Sequence, residues 1–220
     1  MNQLAERRQE EKDRRRTEIL DAAFAVGQTH GLGGITMDLV ARQARLSRAL
    51  IYVYFRDRDE LLFGLCQRAL AILRNRFETA MAATALGVDK TRACGLAYLA
   101  FARELPLEFE VLSRFEAHTP DIANMAANES ACMQSGDEVH RLLVDAINLG
   151  VRDGSIRADV GAAPVVAITL WGFMHGVLQL AQTKANVLAH EGVAVDQLLD
   201  KALNLARRSI ASDATIARGT

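Results

Sequence analysis

The chain has 220 residues, half of them apolar, and a formal net charge of −1. This is enough apolar material for a buried core, while three prolines and few aromatic residues argue against a disordered chain and a dense β-sandwich. The three cysteines are isolated and form no CxxC or Cys/His group with zinc spacing, so we expect no metal, no cofactor and a reducing, cytoplasmic setting.

The first 13 residues are a charged N-terminal extension, frayed or helical, and they lack the apolar segment of a signal peptide. A helix is predicted from about residue 16 to residue 29, because apolar residues recur at helical spacing from Ile19 to Val26. Gly31 is placed to end this helix in a left-handed cap.

Three helix starts follow closely along the chain. Thr36 is a suitable N-cap for a short second helix that ends near Ala44, and Ser47 is one for a third helix. Asp57, with Glu60 three residues later, gives the capping-box pattern for a fourth helix. A short helix, a three-residue turn and a second short helix form a helix-turn-helix, which places its second helix in the major groove of DNA.

The rest of the chain also has the pattern of helices. Gly87 is expected to close the fourth helix, and Pro106 to interrupt the next run. Further helices are predicted at residues 90–105, 107–118, 122–151, 164–190 and 196–212. No strand pattern or internal repeat stands out, so the sequence predicts an all-α fold.

One stretch, from Val160 to Thr183, carries no Asp, Glu, Lys or Arg and is long enough to span a bilayer. Pro164, His175 and two glutamines interrupt it, and no basic cluster flanks one side. We therefore expect the buried helix of a soluble protein and no membrane partner.

The most informative segment is Thr36–Leu62, which holds five arginines against one aspartate between residues 42 and 58. It resembles the start of the TetR family of bacterial transcriptional regulators. The resemblance rests on Ile35-Thr36, Ala41, Leu46-Ser47, the run Ile51-Tyr52-Val53-Tyr54-Phe55, Arg58-Asp59-Glu60-Leu61-Leu62, and upstream Ile19-Leu20-Asp21-Ala22-Ala23-Phe24 with Gly31.

The resemblance covers roughly residues 14 to 65 and implies two domains. Residues 14–62 would be a three-helix, helix-turn-helix DNA-binding domain. Residues 63–212 would be a helical effector-binding and dimerisation bundle, followed by a tail at 213–220. The implied protein is a cytoplasmic, sequence-specific regulator rather than an enzyme, and a repressor released from a palindromic operator by a small, largely apolar effector.

By the same resemblance, Ser47, Arg48 and Ala49 open the recognition helix and reach base edges. Arg48 is the best base reader, because arginine can bind guanine O6 and N7 with two bonds. Its alternative is a solvent or phosphate contact. Ala49 can approach a thymine methyl group.

Backbone contacts are implied for Thr36, Tyr52, Tyr54 and Arg58, with an ordinary N-cap as the alternative for Thr36 and aromatic packing for the tyrosines. The cluster at residues 14–16 can reach the DNA backbone or minor groove.

Two positions depart from the family. Arg45 stands where glycine is frequent, in a turn that favours a left-handed conformation, and can add a phosphate contact. Leu50 replaces a small polar residue.

The C-terminal part offers two predicted surfaces. A homodimer interface is expected on the uncharged helix and the last helix, with internal packing as the alternative; its residues are Gly172, Gly176, Leu198, Leu199, Ala202 and Leu205, next to a stripe of Trp171, Met174, His175 and Leu178. An apolar effector cavity, or ordinary core, is expected from Tyr98, Phe101, Phe109, Phe115, Met125, Met133, Trp171 and His175.

Two other classes of protein compete with this interpretation. A helical enzyme would need a nucleophile–base pair, a metal motif or a phosphate loop, and the sequence shows none. A non-specific architectural DNA-binding protein would bind with strong salt dependence and no sequence preference, which the near-neutral charge disfavours.

Overall fold

The computed structural model describes residues 3–218, and these residues are helical almost throughout. The helices are α1 (Gln3–His30), α2 (Met37–Ala44), α3 (Arg48–Tyr54), α4 (Arg58–Ala82), α5 (Gly87–Glu104), α6 (Pro106–Glu116), α7 (Ala127–Asp153), α8 (Ala163–Thr183), α9 (Ala185–His190), α10 (Val195–Ile210) and α11 (Asp213–Arg218). A short 3₁₀ turn covers Leu32–Gly34. Extended pairing within the described residues is limited to an isolated bridge between Ile156 and Ala211. The all-α prediction is confirmed.

The chain forms two compact units. The first unit runs up to Ala69 and also includes Leu107–Met133, and the second contains Leu70–Pro106 and the chain from Gln134 onward. The first unit therefore takes in α6 and the start of α7, which the resemblance had assigned to the effector domain.

The core of the first unit forms where α1, α2 and α3 bury their apolar sides. Ile19, Ile35, Val40, Ile51 and Phe55 have no exposed surface. Helix α4 packs closely against this core at Gly64. A Cβ atom there would lie 2.9 Å from Leu20 Cδ2 and 3.1 Å from Phe55 Cε1, so a larger residue would push the helix outward.

In the second unit, α10 packs against α8 and α5, and α5 crosses α7 at two glycines. A Cβ atom on Gly87 would lie 2.1 Å from Gly150 N and 2.5 Å from Ala146 O. Because these are backbone atoms, no side-chain movement can make room for it. The two backbones can therefore lie this close only because residue 87 is glycine.

Several predicted helix ends are corrected by contacts between residues distant in sequence. Gly87 begins α5 rather than closing α4, because its N–H donates to Asp153 Oδ2 at 2.8 Å and the N–H of Val88 donates to Ser155 Oγ at 3.1 Å. Lys90 Nζ donates to the carbonyls of Met81 and Thr84, which covers the end of α4.

Other differences concern α1, α7, α8 and α11. Helix α1 begins at Gln3, so the described part of the charged extension is helical. Helix α7 begins at Ala127 rather than at Ile122, because the carboxylate of Asp121 accepts from Ala123 N and Asn124 Nδ2 and forms a turn. It runs unbroken through Ser135-Gly136. The predicted helix to His190 divides at Lys184, and α11 was not predicted.

Candidate nucleic-acid interface and effector cavity

The helix-turn-helix is set by side chains that cap each helix. Thr36 Oγ1 accepts from Leu39 N at 3.3 Å at the start of α2, and Ser47 Oγ accepts from Leu50 N at 3.2 Å at the start of α3. Asp57 Oδ1 accepts from Glu60 N at 2.9 Å and begins α4, while the Glu60 carboxylate accepts from Arg56 N rather than from Asp57 N. These short-range bonds fix the three helix starts that the sequence predicts.

The turn between α2 and α3 passes through Arg45 in the left-handed conformation, with φ 54° and ψ 40°. The N–H of the following Leu46 donates to Ala41 O at 2.9 Å and closes the end of α2. A non-glycine residue adopts this conformation at a cost of roughly 1–2 kcal/mol. The Arg45 side chain is exposed, so the turn presents a cation beside the N-terminus of α3. Gly31, predicted to end α1 in a left-handed helical conformation, also has a positive φ, but its ψ of 169° does not belong to that conformation.

Helix α3 divides into a buried and an exposed side. Ile51 is fully buried, whereas Arg48, Ala49 and Tyr52 are exposed and Tyr54 is half-buried. Sequence reasoning missed Val53, which is 73% exposed on the same helix. The sequence did contain a signal for this exposure, because Val53 lies two residues after Ile51, and side chains at that spacing point to different sides of a helix.

The Arg48 guanidinium is held over the surface of α3 by two neighbours. Its Nη1 lies 3.1 Å from Asp38 Oδ1, and its Nη2 donates to Tyr52 Oη at 3.2 Å. The hydrogen bond to Tyr52 and the charge of Asp38 raise the pKa of Arg48. The arginine stays charged, and its side chain remains 60% exposed.

Arg58 and Arg16 are engaged inside the first unit. Arg58 Nε and Nη2 donate to the carbonyls of Ile35 and Leu32 at 2.7 and 2.8 Å, which ties α4 to the segment before α2. The phosphate contact expected of Arg58 stays a prediction, and these two donors would not be free for it.

Arg16 corrects the interpretation of the upstream arginine cluster. Its Nη2 donates to Gln67 Oε1 at 2.9 Å and to Asn128 Oδ1 at 2.8 Å, and its guanidinium lies 5.4 Å from the centre of the Phe55 ring. Burial lowers the pKa of Arg16. The side chain therefore packs under the end of α3, and its Nη2 donor would not be free for a phosphate. Arg14 and Arg15 pair with Glu11 and Glu18 along α1.

An apolar cavity of about 50 Å³ lies in the second unit, with Tyr98 and Trp171 in its wall. The two rings stack with centroids 5.2 Å apart, and Tyr98 Oη is 2.8 Å from His175 Nδ1. Burial lowers the pKa of His175. Phe101, another residue predicted for this cavity, stacks on Tyr98 from within the core.

Four residues predicted for this cavity belong elsewhere. Phe109, Phe115, Met125 and Met133 lie in the first unit, whereas every lining residue lies in the second. The sequence could not reveal this, because Pro106 starts α6 directly after α5 without marking a change of unit. Among the described residues, no group of three or more His, Cys, Asp or Glu side chains has the arrangement of a metal site.

Two family models match the chain. Residues 19–65 match the model described as bacterial regulatory proteins, tetR family, and residues 91–205 match the tetracyclin repressor-like C-terminal domain. The chain belongs to the TetR family. It is a DNA-binding transcriptional regulator, and its family and fold are those of a regulator rather than of an enzyme.

Solved structures share the fold of this TetR-family chain at low identity. A protein of unknown function from Rhodococcus sp. RHA1 has 23% identity and a TM-score of 0.71, with 90% of this chain and 95% of that one covered. The ketosteroid regulator KstR2 of Mycobacterium tuberculosis has 17% identity and a TM-score of 0.61, with 90% and 96% covered. AibR, solved with isovaleryl coenzyme A and operator DNA, has 16% identity and a TM-score of 0.61, with 87% and 97% covered. No curated protein sequence matches.

The TetR-family C-terminal unit leaves one side of α8 uncovered. Val165 and Ile168 are 65% and 63% exposed, and Phe173 and Leu180 also reach the surface. By length and composition, α8 is the one helix in the described residues able to cross a membrane, and 22% of its most apolar window is buried. The predicted burial therefore holds for one side of the helix, where Met174 and Leu178 are buried, and is wrong for the other side in the single chain.

The predicted dimer residues divide between this exposed side and the core. Gly172 is exposed and Gly176 half-buried, and a Cβ atom on either would meet no other atom within 4 Å. On α10, Leu205 is 50% exposed and Leu198 half-buried. By contrast Leu199, Ala202 and the stripe residues Met174 and Leu178 are buried within the chain, because α8 and α10 pack on each other through that side.

Proposed function

We propose that this regulator is a cytoplasmic homodimeric repressor that binds a palindromic operator and is released by a small effector. The observation that carries the proposal is the exposed side of α8. A row of apolar side chains without charge would be costly to leave in water. Across a two-fold axis, Gly172 and Gly176 would let a second α8 approach closely, with Leu205 of α10 beside it.

A two-fold dimer presents two copies of α3 to DNA. Adjacent major grooves on one side of the duplex are about 34 Å apart, so the two half-sites would form a palindrome. Arg48 would read guanine, Ser47 and Ala49 would approach base edges, and Thr36, Arg45, Tyr52 and Tyr54 would bind phosphates. The exposed Val53 adds a group that can contact a thymine methyl.

Release by an effector would follow from linkage. A ligand that binds better to a dimer with wrongly spaced recognition helices weakens operator binding by the same factor by which the operator weakens ligand binding. AibR, which has the same fold, has been solved in complex with isovaleryl coenzyme A and operator DNA, which supports binding of both a small molecule and DNA by such a protein.

The test is selection from random duplex DNA with the purified protein at near-physiological salt. We expect a palindrome to be enriched, and operator binding to fall when its half-sites are moved apart by five base pairs, half a helical turn. Binding with strong salt dependence but no enriched sequence would contradict the proposal and favour an architectural DNA-binding protein. A folded dimer that binds no DNA would contradict it as well.

A further inference from the structure

The apolar cavity of the second unit has an uneven distribution of charge. Most of its wall is apolar or aromatic, and its lining residues are Phe77, Thr91, Arg92, Cys94, Gly95, Tyr98, Leu143, Leu170, Trp171, Met174, Leu203, Ala206, Arg207 and Ile210. The two charged members are both arginines, Arg92 on α5 and Arg207 on α10. No acidic side chain lines the cavity.

These two arginines lack acidic partners in the described part of the chain. Arg74, Arg76 and Arg103 of the same unit each form an ion pair with a glutamate or aspartate. Neither Arg92 nor Arg207 has a carboxylate oxygen within 4.0 Å among the described residues. Arg92 is exposed and Arg207 half-buried, and two like charges beside an apolar wall create a positive potential that favours an anion.

The other polar groups of the cavity do not supply that negative charge. Thr91 Oγ1 donates to Val88 O at 2.7 Å. Burial raises the pKa of the Cys94 thiol to about 12, so the sulfur is neutral near pH 7. His175, behind Tyr98, is kept neutral by its burial. The compensating negative charge must therefore come from a ligand or from solvent ions.

The cavity of the first unit makes a useful contrast. It is larger, about 470 Å³, and it carries charges of both signs. Some of these groups pair with one another: Arg56 with Asp57, Arg114 with Asp59 at 3.7 Å, and His118 with Glu129 at 2.8 Å. Its four carboxylates outnumber its two arginines, so this cavity does not favour an anionic ligand.

We propose that the effector is an amphipathic carboxylate, with its apolar body against Tyr98 and Trp171 and its carboxylate bound by Arg92 and Arg207. This inference rests on the proposed effector-responsive function and specifies its ligand. Guanidinium groups bind carboxylates with two parallel bonds, which suits arginine rather than lysine. A cavity of about 50 Å³ holds only a few waters, so even a six-carbon acid must move the surrounding side chains or helices apart to enter it.

Trp171 provides the measurement, because it is the only tryptophan of the chain and lies in the cavity wall. Its fluorescence would be titrated with hexanoate, hexanamide and hexylamine, and with the eight- and ten-carbon members of each series. We expect the acids to bind at least about 10-fold more tightly than the matched amides, and the amines to bind most weakly. Equal affinity of acid and amide, or no binding of any acid, would overturn the proposal.

The arginines would be tested by Arg92→Gln, Arg207→Gln and the double variant. We expect the preference for acid over amide to fall to within about 2-fold in the double variant, with amide affinity retained. Arg208→Gln is the matched control, since Arg208 is the exposed neighbour of Arg207 on α10 and does not line the cavity. An unchanged acid preference in the double variant would overturn the assignment.

Operator binding measured in parallel separates this proposal from the one on which it rests. If a palindrome is selected but no acid binds, the repressor remains and the carboxylate site is wrong. If acids bind with the expected arginine dependence but no operator is found, the site stands and the repressor is wrong. Circular dichroism melts of each variant would establish that a lost preference does not reflect unfolding.

Discussion

Helices α3 and α8 each leave one side uncovered by the chain, but the exposed sides differ in chemistry. Helix α3 exposes Arg48 and Tyr52, which can bind phosphates and base edges. Helix α8 exposes Val165, Ile168 and Phe173, which have nothing to offer a polyanion. The comparison teaches that the composition of an exposed surface limits its partner: a polar, cationic surface suits DNA, and an uncharged apolar surface suits another protein surface, which we propose is a second copy of the chain.

The strongest test of this comparison is Gly176→Glu on α8. A Cβ atom there meets nothing in the chain, so the monomer should fold, whereas a carboxylate buried between two subunits costs several kcal/mol. We expect the dimer dissociation constant to rise by about 1,000-fold or more and operator binding to weaken with it. Sedimentation velocity over a range of concentrations measures the change.

Gly136→Glu is the matched control, because Gly136 lies within α7 and its Cβ position is equally open. It should remain dimeric. A Gly176→Glu protein that sediments as the same dimer would show that the exposed side of α8 is not the interface.

The support beneath α3 is tested by Arg16→Met, which keeps an unbranched side chain and removes the cation. The change leaves Gln67 and Asn128 without their donor and takes away the contact with the Phe55 ring. We expect the free energy of unfolding in urea to fall by about 2–4 kcal/mol. Arg14→Met, in an exposed ion pair with Glu11, should cost less than about 0.5 kcal/mol. Equal losses in the two variants would contradict the buried role of Arg16.

The exposed side of α3 is tested by Arg48→Ala. We expect operator binding to weaken by about 1–3 kcal/mol and the preference at one base pair of each half-site to relax. Affinities for an operator set mutated one position at a time give the readout. Arg56→Ala, at an exposed arginine outside α3, should change all operators alike. A uniform loss for Arg48→Ala would assign it to a phosphate.

The inward side of α8 gives the smallest expected effect, through pH. Burial lowers the pKa of His175 below its ordinary value, so the unfolded chain takes up a proton at a pH where the folded chain does not. His175 should therefore not affect the free energy of unfolding above about pH 6.5. As the pH falls below that value, His175 should lower this free energy. Melting temperatures between about pH 5 and pH 7.5 should fall less at the acidic end for His175→Gln than for the wild type. His190→Gln, on exposed α9, should keep the wild-type profile.

The sequence was sufficient for the starts of α2, α3 and α4 because these starts depend on local chemistry. Thr36, Ser47 and Asp57 accept bonds from residues three positions ahead, and such spacing can be identified without a structure. The start of α5 was not predictable in this way, because its partners Asp153 and Ser155 lie 66 and 67 residues away.

The sides of α8 could not be assigned from the sequence, because a helix without charged residues has no polar side to orient it. Of the residues predicted for the dimer interface, Gly172 and Gly176 lie on the exposed side of α8. Leu199 and Ala202 of α10 are instead buried within the chain. The same limit applied to the effector cavity. Tyr98 and Trp171 line it, but residue type alone could not exclude Phe109 and Met133, which lie in the other unit.

The crossing of α5 and α7 at Gly87 and Gly150 has a consequence for how such proteins diverge. Most core positions can change during evolution, because a substitution at a neighbouring residue can fill the volume that a lost methyl group leaves. At Gly87 a new side chain would meet backbone atoms of α7, so no compensating mutation nearby restores the fit, whereas at Gly150 it would meet the Ile156 side chain. Gly87 should therefore persist among relatives, while Gly150 can change together with Ile156. Gly87 would then mark the equivalent position in chains too distant for ordinary sequence alignment.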